Sequence, residues 1–227
     1  MYQLRKASQG EAIYLNVPEF IKGKGAETKA HHYKYERVGL QESSPQNNFR
    51  RIISCRIPKG HFCNHKINYT TARHSKISLE LVLFVLNSSF ADWYFRLGST
   101  NAAVSHYQLK NIPCPAFGKQ SGNPDSRVTA EIERMLDDGR FLDIEQKAVS
   151  LAKAQGCTPT TELIVERMVR AIEAEERNRG DIARVQRSRL ADNAQKCQVI
   201  LDKIMLVLLG IGEEKHGYIN QRLREML

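Results

Sequence analysis

Cys55, His61, Cys63 and His65 are the side chains of this sequence best suited by type to hold a metal ion, with thiolate and imidazole groups of the kind zinc accepts. His61, Cys63 and His65 recur at a spacing of two, which on a strand places them on one face, and Cys55 lies across a turn at Pro58-Lys59-Gly60. Structural zinc sites usually draw ligands from tight knuckles such as Cys-x-x-Cys, and none occurs here, so a histidine-rich strand without metal is the expectation. Carboxylates offer a second chemistry. A metal-dependent nuclease needs clustered acids with a lysine, and Pro124-Asp125 is followed by Glu131 and Glu133, but no lysine stands two residues beyond either glutamate. That stretch reads as a loop, Gly118 to Asp125, entering a helix with surface glutamates. A phosphate-cradling Gly-x-x-x-x-Gly-Lys loop and a Gly-x-Ser-x-Gly elbow are both absent, and no nucleophile is paired with a base. No catalytic role and no cofactor are expected.

What remains is binding chemistry. Ser99, Thr100, Asn101, His106 and Gln108 form a loop rich in hydrogen-bonding groups, and Pro113 and Pro115 fix the backbone after it. Such a loop either binds a ligand or caps a helix. Residues 1 to 76 hold 14 Lys+Arg against 5 Asp+Glu, whereas residues 77 to 227 hold 20 of each, so the whole formal charge of +9 sits in the first third. Five of the seven histidines are there too: His31, His32, His61, His65 and His74. A segregated basic surface attracts a polyanion by Coulomb steering and counterion release. An acidic protein partner fits the same charge, while no long amphipathic basic helix of the membrane-binding kind is present.

The elements that position these groups follow from periodicity. From Ser78 the residues Leu79, Val82, Leu83, Leu86, Phe90, Trp93, Tyr94 and Leu97 recur at steps of three and four, which predicts one helix with Ser78 as N-cap and Gly98 at its end. At 1.5 Å per residue it would be roughly 28 Å long. Trp93, Tyr94 and Phe95 read as core. Upstream, Phe49, Arg51, Ile53, Cys55 and Ile57 alternate with Arg50, Ile52, Ser54 and Arg56, and His61 to Tyr69 alternates again, which predicts a hairpin with Gly60 in its turn. Its polar side would carry Arg50 and Arg56 away from the core, with Lys59 at the tip. Downstream, Thr160 or Thr161 caps a helix carrying Leu163 to Ile172, and Asp181 starts another running to Leu208, an antiparallel pair joined near Gly180. The Arg184-Arg187-Arg189 segment reads as a solvated face. A tail helix spans Glu213 to Met226.

Several stretches, in order, carry a resemblance. Leu86-Asn87-Ser88-Ser89, Trp93-Tyr94-Phe95-Arg96, Ser99-Thr100-Asn101, Tyr107-Gln108-Leu109 and Ile112-Pro113-Cys114-Pro115 look like the C-terminal target-recognition domain of N6-adenine DNA methyltransferases and single-chain restriction-modification enzymes. Tyr35-Glu36-Arg37-Val38-Gly39 and Arg50-Arg51-Ile52-Ile53 resemble its basic strands, and Leu201-Asp202-Lys203-Ile204 with Leu208-Leu209-Gly210-Ile211 is similar to its closing helix. The likeness covers residues 30 to 117 and the C-terminal tail, and residues 118 to 195 depart from it. It implies sequence-specific recognition of double-stranded DNA, with the target adenine presented to a methyltransferase domain on another chain or in a longer parent protein. The glycine-rich cofactor loop and the Asn/Asp-Pro-Pro-aromatic motif of such methyltransferases are both missing here.

The sequence therefore predicts an α+β protein: a basic, β-rich recognition domain over residues 1–117, braced by the long helix, then a helical portion over 118–227. Candidate DNA contacts are Arg37, Arg50, Arg51, Arg56, Lys59, Lys66 and Arg73, joined through the resemblance by Ser99, Thr100, Asn101 and His106. The start at Met1 without catalytic motifs fits either a specificity subunit or a fragment. The apolar runs are far shorter than the ~20 residues that cross a bilayer and no signal-peptide core opens the chain, so a cytoplasmic protein is expected. Two other readings stay open, an assembly subunit working through its helical hairpin and an RNA-binding module.

Overall fold

The computed structural model describes residues 15–99, 101–178 and 190–225, and over them the chain is α+β. A three-stranded antiparallel sheet has β1 (Arg37–Gln41) in the centre, with β2 (Ser54–Ile57) and β3 (Ile67–Thr71) on either side. Val38 pairs with Arg56 on one side and Thr70 on the other. The expected hairpin is therefore not formed. Gly60 does take the left-handed conformation at φ 83°, but β2 and β3 both pair with β1 and not with each other. The segment between them is drawn out of the sheet by its side chains: Phe62 stacks on Tyr33 with centroids 4.8 Å apart, and the Arg37 guanidinium donates to the His61 carbonyl.

The facing of β2 also corrects the expectation. Val38 and Leu40 are buried, and helix α2 (Leu79–Leu86) packs on β1 and β2. Arg56 and Ser54, paired with Val38 and Leu40, lie on this same inner face, so Arg56 points into the protein. Gly39 leaves room for Ile57 on the other face, where an added Cβ would come within 2.4 Å of Ile57 Cδ1 and make that side chain shift.

Ser78 caps α2 as predicted, accepting the Leu81 N–H at 3.3 Å. The helix does not run on to Leu97. It stops at Leu86, and α3 (Ser89–Gly98) starts afresh. Ser88 causes the break: its Oγ accepts the Ala91 N–H at 3.0 Å and donates to the Val85 carbonyl at 2.8 Å, ending one helix and capping the next. Asn87 fixes the corner to β2 through Ser54, whose Oγ donates to its Oδ1 at 2.9 Å. The Asp202 carboxylate accepts the Ser89 N–H at 2.8 Å and its hydroxyl at 2.6 Å, where negative charge suits a helix start.

The helical portion comprises α5 (Ser126–Asp137), α6 (Phe141–Gln155), α7 (Pro159–Asn178), α8 (Asp192–Leu208) and α9 (Glu213–Glu225). Two short helices are also found among the described residues, α1 (Val17–Ile21) and α4 (His106–Lys110), the latter after α3. Asp125 caps α5 by accepting the Arg127 N–H at 2.9 Å. Thr158, rather than the expected Thr160 or Thr161, accepts the Thr161 N–H at 3.3 Å at the start of α7. The expected pairing of the two long helices is found: α7 packs on α8, and the Ala191 N–H donates to Glu176 near the end of α7 at 2.7 Å. Gly180, Asp181, Arg184, Arg187 and Arg189 lie outside the described residues; Leu190 and Ala191 are non-helical and α8 begins at Asp192.

One buried core runs from Val38 through Phe84, Phe95, Ile132, Ile144 and Ile164 to Ile204 and Ile219, crossing the boundary expected at residue 117. An ionic cluster crosses it too. Arg56 lies 3.2 Å from Glu36, 3.0 Å from Glu80 and 3.0 Å from Glu173 on α7, and Glu80 also meets Arg170 at 2.9 Å. Burial opposes the charged form of Glu80, but its own backbone N–H, the Arg170 hydrogen bond and the Arg56 charge outweigh it and hold the carboxyl below its ordinary range. Among the described residues, no helix is long and apolar enough to cross a membrane.

Candidate nucleic-acid interface

Two buried arginines and one aspartate organise the loops at the end of α3. Asp92, 2% exposed, accepts the backbone N–H of Arg51 at 2.7 Å and of Ile52 at 3.0 Å through Oδ1, and the Arg96 Nε–H at 2.8 Å through Oδ2. Asp92 and Arg96 stand one helical turn apart, the spacing that lets them pair. Arg96 then donates to the carbonyls of Gln46 at 3.0 Å and Asn48 at 2.7 Å. Arg51, only 1% exposed, reaches the other way, to Ser99 Oγ at 2.9 Å and the Asn101 carbonyl at 2.6 Å, with its guanidinium over the Phe95 ring. Burial and the Arg96 charge lower its pKa, and Asp92 offsets part of this.

The two loops are also tied to each other. The Ser44 N–H donates to Ala102 and the Val104 N–H to Glu42, both at 2.8 Å, and Ser43 bridges Ala103. Ser44 Oγ closes the base of the first loop by donating to the Arg50 carbonyl at 3.2 Å while accepting from Asn48 at 3.1 Å. Ser105 caps α4 by accepting the Gln108 N–H at 3.2 Å. His106 Nε2 is 3.1 Å from Asn68 Oδ1, linking this platform to the start of β3. Exposed around it are Asn47, Phe49, Asn101, His106 and, 78% exposed, Tyr107. The platform thus offers amides, an imidazole and two rings from a backbone fixed by buried charge, an investment typical of functional loops.

The sequence candidates fall into three groups. Arg51, Ser99 and Asn101 converge as described, with His106 and Lys66 nearby; the Lys66 carbonyl accepts from the Glu42 N–H at 2.9 Å, and its ammonium is 3.4 Å from the Glu42 carboxylate. Lys59 and Arg73 are exposed elsewhere, Arg73 beside Glu27 at 3.0 Å. Arg37, Arg50 and Arg56 are engaged within the protein. Arg37 is 2% exposed, with Nη1 3.7 Å from Cys63 Sγ and its guanidinium over the Tyr69 ring. Arg50 donates to the Asn87 carbonyl, and Arg56 sits among its three glutamates. The buried Arg37 and Arg51 and the half-buried Arg56 shape the surface and do not present their charge on it. Thr100 lies outside the described residues.

Sequence reasoning missed Asp92, Arg96 and Phe49. A signal was present in the Asp92 to Arg96 spacing on the buried face of a helix. Cys55, His61, Cys63 and His65 do not converge, and no group of three or more potential ligands is gathered among the described residues. His61 and His65 are exposed while Cys63 turns toward Arg37.

No protein-family model matches this sequence, and the searches of curated proteins and of solved structures gave no match.

Proposed function

We propose that this chain recognises a specific sequence in double-stranded DNA for a restriction-modification system, without catalysis of its own, and presents the target adenine to a methyltransferase domain on another chain or in a longer parent protein. The observation that carries this reading is the pair of buried arginines, Arg51 and Arg96, whose donors hold the carbonyls of two loops that expose amide, imidazole and aromatic side chains. Side-chain amides read adenine edges bidentately, which requires a backbone that does not shift on binding. Lys29, Lys34, Lys59 and Lys76 are exposed on the basic third and have no carboxylate in salt-bridge range among the described residues, as backbone-phosphate contacts require. DNA of this kind places the protein in the cytoplasm. The assembly reading is less favoured because the apolar faces of α7 and α8, including Ile164, Met168, Ile200 and Ile204, are buried within the chain.

The test is selection from a pool of random-sequence duplexes at ~0.15 M salt, where unspecific attraction is partly screened. An enriched motif that is lost when Asn101 and Asn47 are both replaced by alanine supports the reading. Binding without enrichment, or none, overturns it for the isolated chain and favours an assembly role.

A further inference from the structure

A second group of side chains collects where the 3-10 helix Lys29–Lys34 meets the end of β3. The His32 and His74 rings lie 5.5 Å apart between centroids. His32 Nδ1 is 3.2 Å from the Tyr69 hydroxyl, and His74 Nδ1 is 2.7 Å from Thr71 Oγ1. Neither Nε2 has a protein partner among the described residues. Lys29 on the same 3-10 helix, Arg37 on β1, and Arg73 and His74 just after β3 all act on His32 with positive charge. Carboxylates nearby are already taken: Glu27 sits 3.0 Å from Arg73, whose guanidinium also covers the Tyr35 ring, and Glu36 is held by Arg56 at 3.2 Å. Arg37 Nε is buried without a partner among the described residues. Lys29 and Arg37 thus act on the two imidazoles with no carboxylate in salt-bridge range among the described residues, while the charge of Arg73 is offset in part by Glu27, and an anion relieves the repulsion that is left.

We infer that Lys29, His32, Arg73 and His74 form a binding site for a phosphate group, which on the proposed DNA-recognition role is a backbone phosphodiester. Occupation brings a proton with it. In the free protein, burial and the charges of His74, Arg37, Lys29 and Arg73 hold His32 below its ordinary pKa; a bound anion cancels the repulsion, and the imidazole takes up a proton from solvent. By linkage, binding tightens as pH falls. The site is distinct from the reading platform: His106 meets β3 at Asn68, and Thr71 is three residues on, roughly 10 Å along the strand.

The experiment is a side-chain NMR titration of the full chain at constant ionic strength, with inorganic phosphate compared against chloride, alongside affinity for a scrambled-sequence duplex at pH 7.5 and 6.0. Phosphate is expected to raise the His32 titration midpoint and chloride to leave it unchanged, with the response lost in a K29Q/R73Q variant. Duplex affinity is expected to rise several-fold at the lower pH, and H32Q to lose most of that rise; the exposed K29Q variant, which weakens binding at both pH values, covers the case in which H32Q does not fold. An unmoved His32 midpoint in phosphate, or an H32Q variant with the full pH dependence, overturns the inference. If duplex fails to bind while phosphate still moves His32, the site stands as one for free phosphate and the DNA role falls. If duplex is bound selectively while His32 is unmoved, the DNA role stands and this site falls.

Discussion

The backbone N–H of Arg51 ends on the Asp92 carboxylate at 2.7 Å, while its guanidinium extends past that residue to the Ser99–Asn101 loop. One residue therefore ties β2's approach to α3 by its main chain and positions a loop by its side chain. Arg51→Met keeps the first tie and removes the second. Charge-assisted bonds of this kind contribute about 1.5–3 kcal/mol each, so denaturant unfolding should show a loss of that order, with faster amide exchange in residues 101–105 than in α3. Equal protection in both would show that the guanidinium does not hold the loop.

Phe49 and Tyr107 stand on that platform as exposed rings, 57% and 78% accessible. Replacing both with alanine removes little packing, so the melting temperature should move by no more than a degree or two, since exposed substitutions stay within about 0.5 kcal/mol. DNA affinity should fall severalfold, through loss of apolar contact with base edges such as the thymine methyl group. Unchanged affinity would remove both rings from the interface.

Glu80 has its pKa depressed in the folded state by its backbone N–H, Arg170 and Arg56 against the cost of burial. A carboxyl with a lowered folded pKa contributes stability that is present above its unfolded value, near 4.5, and is lost as pH falls through the folded value. Wild-type stability should therefore drop on acidification below about pH 5, and Glu80→Gln should flatten part of that slope while lowering stability at pH 7. A denaturation series from pH 7 to pH 3 checks both. Arg56→Ala should also lower stability at pH 7, because Glu173 loses its guanidinium partner and Glu80 is left with Arg170 alone.

Ser88 caps α3 and closes α2. Ser88→Ala removes the acceptor for the Ala91 N–H and should destabilise the protein by about 1 kcal/mol, whereas Ser88→Asp, which keeps an acceptor, should recover part of the loss. Equal loss in both variants would mean that the buried site, not the cap, sets the cost.

The local signals in the sequence carried well and the distant ones did not. Ser78 was legible as a cap because capping depends on neighbours three residues away. The left-handed Gly60 was legible for the same reason, but which strand pairs with which depends on Arg37 and Phe62 drawing residues 61–63 out of the sheet, and no alternation pattern records that. Asn87 and Ser88 fell on the polar side of a helical period and so looked like solvent-facing positions in one long helix, when they are the corner between two. Formal charge located the basic third correctly, yet it weighs Arg51 and Arg56 the same as Lys59. Burial separates them, and burial is decided by Asp92, Glu80 and Glu173, residues far along the chain. Arg51, Ser99 and Asn101 were all named from sequence, but their meeting through a single guanidinium was not foreseeable from spacing.

Helix α3 is pinned at both ends, by Asp202 at Ser89 and by the arginine pair near Gly98. Ten residues give it a length of about 15 Å, so it works as a lever: a displacement of about 1 Å where Asp202 grips its base tilts the helix by roughly four degrees and carries the Ser99 loop with it. The alignment of the exposed loop is thus inherited from a carboxylate on α8, at the opposite end of α3 from that loop. Substitutions around Asp202 should therefore shift the Ser99 loop at a distance, seen as a change in amide exchange over residues 101–105, and the helical half acts as the mounting on which that loop is set.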